Sequence, residues 1–446
     1  MKRILAWGCR LALVLSLIGL LPLPTARAAS LGQRAVLPNG LVLLTSEQHI
    51  VPIVTVSVLV RAGSIQDPPD RAGVANFVAE MLEQGTTARS APEISEVLAF
   101  VGADLTVEAG QEVSTLSLTV PSRNLDVGLD VLADMLLHPA FAPADIERKR
   151  QEVIAGIRRK AEDPPTVAAD ALQELIYGAH PYGHPVEGSE SAVAAIGRDD
   201  LVRFHTAYYR PNNVILAVVG DVAMPTLQAS LERRLGAWMP GGPPIAPPAA
   251  AAPSTRPALR TIQREVTQAS IALGHLAIAR DDPDYYAVQA MNYLLGGGFT
   301  SYLVTSIRVE KGLAYDVGSS VGAGKYTGQF TIQLQTRNEL AQEAIRAVLA
   351  AMRRMRDAPV SAQELEDAKA YLTGSFPLRL DTGAKLATML GTIEYHGLGL
   401  DYVERYPAVI GVLTPADIQR VARQYLHPDR CAIAVVADLS KAKIQP

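Results

Sequence analysis

A long internal repeat is the feature that most constrains how this 446-residue chain can fold. Residues 196–222 and residues 413–439 each have the pattern of a helix, a turn containing proline and an apolar run of strand length. The matching residues lie 217 positions apart in four pairs, Asp200 with Asp417, Tyr208 with Tyr425, Pro211 with Pro428 and Asp221 with Asp438. A repeat of this length predicts two homologous domains and excludes a solenoid, whose units have about 20 to 50 residues.

A stretch rich in proline and alanine separates the two copies at residues 240–254. This composition favours an extended segment that does not pack, so we interpret residues 240–258 as a linker. The predicted domains are 29–239 and 259–446, and a separate N-terminal segment covers residues 1–28.

Each half has a mixture of strand and helix patterns. Predicted strands lie at 41–45 and 52–61 in the first half and at 260–278 in the second. The predicted helices are 72–84, 91–101, 125–137, 143–160 and 165–177 in the first half, and 284–295, 300–311, 339–356 and 361–374 in the second. Strands mixed with helices in this way predict an α+β fold in which one face of each sheet is covered.

The N-terminus has the pattern of a secretory signal. An apolar run at 11–21 follows basic residues, and a small-x-small sequence predicts cleavage after Ala28. The run is shorter than the about 20 residues of a membrane span, which makes a signal-anchor the less favoured alternative. We expect a periplasmic or secreted protein with no stable membrane insertion after cleavage.

The charge of the chain argues against some classes of partner. The formal net charge of the whole chain is −4. The signal contains four basic residues and no acidic residue, so the chain without it has a formal net charge of −4 minus 4, or −8. A negative chain of this kind does not favour nucleic acid or an anionic membrane as the partner.

A helix pattern in residues 63–86 follows an acidic loop and ends at a Gly-Thr pair. The segment resembles the opening of the M16 (pitrilysin, or insulinase-like) zinc peptidases, whose helix bears His-x-x-Glu-His. Histidines at i and i+4 lie on one helix face and bind one zinc ion, and the glutamate acts as general base. Here the five positions read Asn76-Phe-Val-Ala-Glu80. Asn76 offers only a neutral amide, and Ala79 cannot accept a proton.

The third zinc ligand of the family is also missing. The family has a glutamate in Glu-Val-Ile-x-Glu-Ile, whereas this chain reads Glu152-Val-Ile-Ala-Gly-Ile157, which puts Gly156 at the ligand position. The resemblance therefore implies that Asn76, Ala79, Glu80 and Gly156 are degenerate zinc-site positions. Neither His-x-x-Glu-His nor His-Glu-x-x-His occurs anywhere in the chain, so we expect no metal and no other cofactor in it.

The second half retains a motif of the family. Residues 294–317 are similar to its C-terminal domain motif, with the arginine and tyrosine at Arg308 and Tyr315. The resemblance implies that the tyrosine hydrogen-bonds the scissile carbonyl as its oxygen gains charge, while the arginine holds the substrate backbone. Donors of this kind are worth about 3 to 4 kcal/mol in the transition state. The ordinary alternatives are a surface ion pair or a carbonyl cap for the arginine, and a core position for the tyrosine.

Three glycines precede this pair in the same motif. Gly296, Gly297 and Gly298 are candidates for a loop that contacts substrate. Backbone geometry is an alternative reason for them. They lack the Gly-Lys-Ser/Thr context of a phosphate-binding loop.

The resemblance spans residues 32–440 and implies two α+β halves that close face to face like a clamshell. In the two-chain members of the family, one subunit keeps the zinc motif and the other keeps the Arg/Tyr pair. The first hypothesis is therefore a non-catalytic subunit of an exported heteromeric zinc endopeptidase. Its partner would be an M16 subunit with His-x-x-Glu-His and zinc, and its substrate a peptide bound in extended form.

Two other hypotheses stay open. One is a catalytically inert peptide-binding or scaffold protein with the same fold, which would have no need of the Arg/Tyr pair. The other is an active enzyme with atypical metal ligands, which metal analysis of the purified chain would reveal.

Overall fold

The structure is a computed structural model that describes residues 31–242 and 248–445. The predicted signal segment 1–28 and a short part of the predicted linker lie outside the described residues. Within the described ranges, no helix has both the length and the hydropathy needed to cross a bilayer.

The first half is built on a six-stranded sheet with the spatial order β1-β2-β6-β3-β5-β4. Its strands are β1 (Gln33–Val36), β2 (Val42–Glu47), β3 (Ile53–Val60), β4 (Asp104–Ala109), β5 (Ser114–Pro121) and β6 (Val214–Gly220). Strands β2 and β6 are parallel, and the other neighbours are antiparallel. Its helices are α1 (Val74–Leu82), α2 (Ala91–Val101), α3 (Leu125–Leu137), α4 (Pro143–Ala161), α5 (Pro164–Tyr177), α6 (Glu190–Ala195), α7 (Arg198–Tyr208) and α8 (Met224–Leu235).

The second half repeats this plan. Its sheet has the order β7-β11-β8-β10-β9, and its parallel pair β7 and β11 corresponds to β2 and β6. The strands are β7 (Ala258–Gln263), β8 (Gln268–Leu276), β9 (Ala314–Val321), β10 (Gln329–Arg337) and β11 (Ala432–Ala437). The helices are α9 (Tyr285–Asn292), α10 (Ala341–Asp357), α11 (Ala362–Ser375), α12 (Gly383–His396), α13 (Tyr402–Gly411) and α14 (Pro415–Tyr425), with π-helical segments at Tyr293–Gly297 and Val304–Glu310. The two homologous α+β domains predicted from the repeat are confirmed.

The prediction of a single strand at residues 260–278 is wrong, because two strands lie there. Residues 260–278 contain β7 and β8, which lie on opposite sides of β11 in the sheet. Because β7 is parallel to β11 and β8 is antiparallel to it, the chain must reverse direction between them. Residues 264–267 make that reversal.

Both faces of each sheet are covered, which corrects the prediction that one face would be covered. Helix α12 of the second half packs on β3 and β6 of the first sheet. Helix α5 of the first half packs on β8 and β11 of the second sheet. The two halves therefore exchange equivalent helices, and each helix covers a face of the other half's sheet.

The contact of α12 is close and apolar. Leu390 is fully buried in a cluster formed by α12 and the second face of the first sheet. Gly391 lies directly over Leu59, because a Cβ at this glycine would be only 2.5 Å from Leu59 Cδ1. Helix and sheet therefore approach as closely as the backbone allows, and burial of this apolar surface stabilises the junction of the halves.

A polar contact also joins the two halves. Glu112 lies in the turn between β4 and β5, and its Oε1 accepts hydrogen bonds from the backbone N–H groups of Lys325 at 2.8 Å and Tyr326 at 3.4 Å. The hydroxyl of Tyr182 donates to the same oxygen. Burial, together with the nearby carboxylate, raises the pKa of Tyr182 far above its ordinary value. One side chain thus connects a hairpin of the first half to a loop of the second.

The linker packs more than its composition predicts. Ala251 contacts the apolar cluster between α5 and the second sheet. Ala251, Pro253 and Ser254 also line a cavity of about 250 Å³ together with His275 and His427. The prediction that the whole linker would stay unpacked is therefore wrong for this part of it.

The buried imidazole of His275 on β8 makes stability depend on pH. Its Nδ1 lies 2.9 Å from the carbonyl of Leu276, and its Nε2 accepts a hydrogen bond from the N–H of His427 at 3.2 Å. The neutral ring fits both contacts, and burial lowers its pKa to about 4 from 6.5. The folded state therefore binds fewer protons than the unfolded state between these values, so stability is lost as pH falls from 6.5 towards 4.

We expect His275→Gln to flatten this loss, because glutamine offers a donor and an acceptor but does not titrate. The wild-type protein should lose on the order of 3 kcal/mol of unfolding free energy across this range through this group. Denaturant unfolding at pH 4.5, 5.5, 6.5 and 7.5 measures the difference between the two proteins. Parallel pH profiles for wild type and variant would contradict the assignment to His275.

Candidate functional site

The helix at the degenerate zinc positions begins in a well-defined way. The carboxylate of Asp67 accepts hydrogen bonds from the N–H groups of Gly73 at 2.6 Å and Ala75 at 2.9 Å, at the start of α1. Gly73 has φ of 98°, a left-handed conformation that favours glycine. Burial raises the pKa of Asp67 to about 7. The acidic loop of the sequence pattern therefore positions α1.

The side chains at the degenerate positions bind one another. Asn76 Nδ2 donates to Glu80 Oε1 at 3.1 Å, one turn along α1. Lys149 on α4 places its ammonium 3.5 Å from Glu80 Oε2 and 2.8 Å from Glu152 Oε2. The Lys149 ammonium lowers the pKa of Glu152 below its ordinary value. An amide, an ammonium and two carboxylates thus form an internally paired network.

The residues at these positions do not fit zinc. Ala79 contributes a buried methyl group, and Gly156 on α4 has no side chain. Glu80 is the one carboxylate among the four degenerate positions, and Lys149 competes for it. Across residues 31–242 and 248–445, no group of three or more His, Cys, Asp or Glu side chains is arranged to hold a metal ion.

The structure brings Arg308 and Tyr315 together. The guanidinium carbon of Arg308 lies 5.0 Å from the centre of the Tyr315 ring, a cation–π distance. Tyr315 is 81% exposed, so it is not a core residue. In the described part of the chain, Arg308 forms no ion pair within 4.0 Å. Neither ordinary alternative fits the pair, and its action on a substrate stays a prediction.

Irregular backbone presents both residues. Arg308 lies in the π-helical segment Val304–Glu310, a rare geometry that is frequent at functional sites. Tyr315 lies on β9 where the pairing with β10 is irregular, since Tyr315 and Asp316 together oppose Gln335. A bulge of this kind redirects side chains, and here both bulge residues are exposed.

Phe299 is a third member of this surface that the sequence reasoning missed. The guanidinium carbon of Arg308 lies 5.8 Å from its ring centre, and Phe299 is 81% exposed. The available signal was its place directly after three glycines. We refer to Phe299, Arg308 and Tyr315 as the aromatic-arginine cluster.

Two of the three glycines have a packing reason for their lack of a side chain. A Cβ at Gly296 would be 2.6 Å from Ser319 Oγ on β9, and one at Gly298 would be 2.8 Å from Cζ of Tyr293. Gly297 is exposed. The turn therefore packs against β9 and places Phe299 beside Arg308, and substrate contact by these glycines stays a prediction.

The two candidate regions occupy equivalent places in the two halves. Helix α1 contacts β4, which is the outermost strand of the first sheet. Both π-helical segments contact β9, which is the outermost strand of the second sheet. Each candidate region thus lies beside the outermost strand of its sheet.

Two family models match the chain. The model described as "Insulinase (Peptidase family M16)" matches residues 42–190, and "Peptidase M16 inactive domain" matches residues 195–372. Together they cover both candidate regions.

Curated relatives match nearly the whole chain. An uncharacterized zinc protease of Bacillus subtilis is 27% identical over 405 residues, which are 90% of this chain and 96% of that protein. An uncharacterized zinc protease of Mycobacterium tuberculosis is 28% identical over 406 residues, covering 90% of this chain and 93% of that protein.

Solved structures share the fold. A structure described as a peptidase M16 inactive domain from Pseudomonas fluorescens matches with a TM-score of 0.86 and 28% identity, covering 91% of this chain and 97% of that one. A protease from Helicobacter pylori matches with a TM-score of 0.85 and 20% identity, over 91% and 98% of the two chains.

Proposed function

Because the chain belongs to the M16 family of peptidases, we propose that it is the non-catalytic subunit of an exported, heteromeric M16-type zinc endopeptidase. The observation that supports this role is a contrast between the two halves. Asn76, Glu80 and Lys149 satisfy one another where a zinc ion would be bound, whereas Arg308 lies against Tyr315, whose side chain is exposed. One part of the peptidase machinery is replaced and the other is kept.

The proposed role of Arg308 and Tyr315 follows from their chemistry. The hydroxyl of Tyr315 can donate a hydrogen bond to the scissile carbonyl as its oxygen becomes an oxyanion. Arg308 has five N–H donors in a rigid fork and can hold the backbone carbonyls of a substrate. A peptide in extended form would pair with a sheet edge next to the cluster. In this mode, hydrogen bonds to the peptide backbone give affinity and contacts with its side chains give specificity.

The zinc and the general base would come from a second M16 subunit. Zinc would polarise the carbonyl and activate water in that partner, while this chain binds and orients the peptide. The proposed place of assembly is the periplasm or the exterior, as the secretory pattern of residues 1–28 indicates. Peptidase assays on the mature chain alone, on a zinc-bearing M16 chain from the same organism, and on their mixture test this directly. Activity that needs both chains supports the proposal, and full activity of either chain alone contradicts it.

The zinc content of the purified chain provides a separate prediction. We expect less than about 0.1 zinc per chain after dialysis, since neutral amides bind zinc weakly and Lys149 pairs with Glu80. A variant with Asn76→His, Glu80→His and Gly156→Glu should bind about one zinc, because it restores the two histidines and the glutamate that hold zinc in a catalytic site. The nearest atom to a Cβ at Gly156 is 3.8 Å away, so this side chain has room. Elemental analysis measures both, and stoichiometric zinc in the wild-type chain would favour an enzyme with atypical ligands.

A second candidate is a catalytically inert peptide-binding or scaffold protein. The exposed Phe299 favours it, because an aromatic ring beside a guanidinium also suits peptide capture without hydrolysis. Under this candidate, the chain would bind peptides at the aromatic-arginine cluster but would not raise the activity of any M16 partner.

A further inference from the structure

A polar cavity at the junction of the two halves lies outside the machinery described above. Its volume is about 210 Å³, and it is lined by side chains from both halves and by the first residues of the linker. Three of these side chains are basic, Arg61, Arg210 and Lys325, and one is acidic, Glu112. The residues that line the cavity therefore have a formal excess of two positive charges.

The basic residues come from separate elements that the fold brings together. Arg61 directly follows β3, Arg210 lies in the connection from α7 to β6, and Lys325 lies in the loop between β9 and β10. None of the three forms an ion pair within 4.0 Å in the described residues. The segments outside the described residues contain no Asp or Glu, so they add no acidic side chain. Among the described residues, these three charges have no carboxylate partner.

The guanidinium of Arg61 lacks a hydrogen-bond acceptor at one nitrogen. Its Nε is buried and has no hydrogen-bond partner in the structure. A buried donor without an acceptor costs about 1 to 3 kcal/mol, and more when it is charged. A polar ligand is an ordinary explanation for such a group.

The acidic residue of the cavity, Glu112, already accepts hydrogen bonds from other groups. Oε1 of Glu112 accepts from the N–H groups of Lys325 and Tyr326 and from the hydroxyl of Tyr182. These contacts direct that oxygen to the junction between the halves. Glu112 thus reduces the positive charge of the cavity without forming an ion pair with its basic side chains.

We propose that this cavity binds a small dianion, a phosphate or a dicarboxylate, between Arg61, Arg210 and Lys325. A dianion matches the excess of two charges, and guanidinium groups suit the oxygens of either ligand. The ligand would supply the acceptor that Arg61 Nε lacks. Since Lys325 belongs to the second half and the arginines to the first, the bound dianion also holds the two halves together. This inference does not depend on the proposed role in proteolysis.

The test is thermal unfolding of the whole mature chain at fixed ionic strength. Inorganic phosphate and succinate are each compared with sodium chloride, and isothermal titration gives the Kd. We expect phosphate, succinate or both to raise Tm by a few degrees at saturating concentration. A response to one ligand alone identifies the chemical source, and no response to either overturns the proposal.

Matched variants locate the effect. Arg61→Gln should weaken binding by about tenfold or more, since it removes a charge-assisted hydrogen bond. Arg123→Gln, at an exposed arginine outside the cavity, makes the same charge change and should leave the Kd unchanged. Lys325→Gln, at an exposed position, gives the same loss if Arg61→Gln does not fold. An equal Kd in wild type, the cavity variants and Arg123→Gln overturns the proposal, because binding would then lie elsewhere.

Discussion

Replacing Tyr315 with phenylalanine is expected to lower kcat of the assembled peptidase by about 100- to 1,000-fold, the effect of removing one oxyanion donor. The substitution removes only the phenol hydroxyl. Because Tyr315 is 81% exposed, neither the fold nor assembly with the partner should change. Steady-state kinetics of the two-chain enzyme measures kcat and KM, and size-exclusion chromatography verifies assembly.

A second tyrosine gives a matched control for this result. Tyr371 is exposed and stacks on Tyr293 with 4.6 Å between ring centres, but it does not belong to the aromatic-arginine cluster. Tyr371→Phe should leave kcat within about twofold, since exposed substitutions away from such features have small effects. Equal kcat values for wild type, Tyr315→Phe and Tyr371→Phe would remove Tyr315 from the chemistry and favour the inert binding protein.

The largest expected effect on stability is at Leu390, in helix α12 of the second half, which packs on the first sheet. Leu390→Ala should lower the free energy of unfolding by about 2 to 5 kcal/mol, because it leaves a cavity between α12 and the first sheet. Denaturant unfolding of the mature chain measures the change.

The control for this prediction is Leu378→Ala. Leu378 is 63% exposed, so its truncation should change stability by no more than about 0.5 kcal/mol. A similar small effect at Leu390 would show that the exchanged helix contributes little to holding the halves together.

Some helices of the fold follow closely from local patterns. Helices α2 and α3 begin and end where their periodicity predicts, at Ala91–Val101 and Leu125–Leu137. The second covered face was also readable in part, since β6 is a continuous apolar run, Val214–Gly220, typical of a strand buried on both sides. Which helix covers that face depends on contacts between residues far apart in the chain, so no local pattern reveals the exchange of α5 and α12.

The candidate site shows the same limit. The loss of zinc ligands could be read from spacing, because i and i+4 positions share one helix face. The contact of Lys149 with Glu80 could not be predicted from spacing, since it joins two different helices. The dianion cavity was missed for the same reason, because Arg61, Arg210 and Lys325 converge only in the folded chain.

The most direct test of the central proposal is to isolate the mature chain from its native host at its endogenous level and to identify the co-purifying proteins by mass spectrometry. We expect an M16 chain with His-x-x-Glu-His at equal stoichiometry, because this chain lacks the zinc ligands and the general base. Recovery of the chain alone, or with unrelated envelope proteins, would contradict the role of a peptidase subunit and would favour the inert binding or scaffold protein.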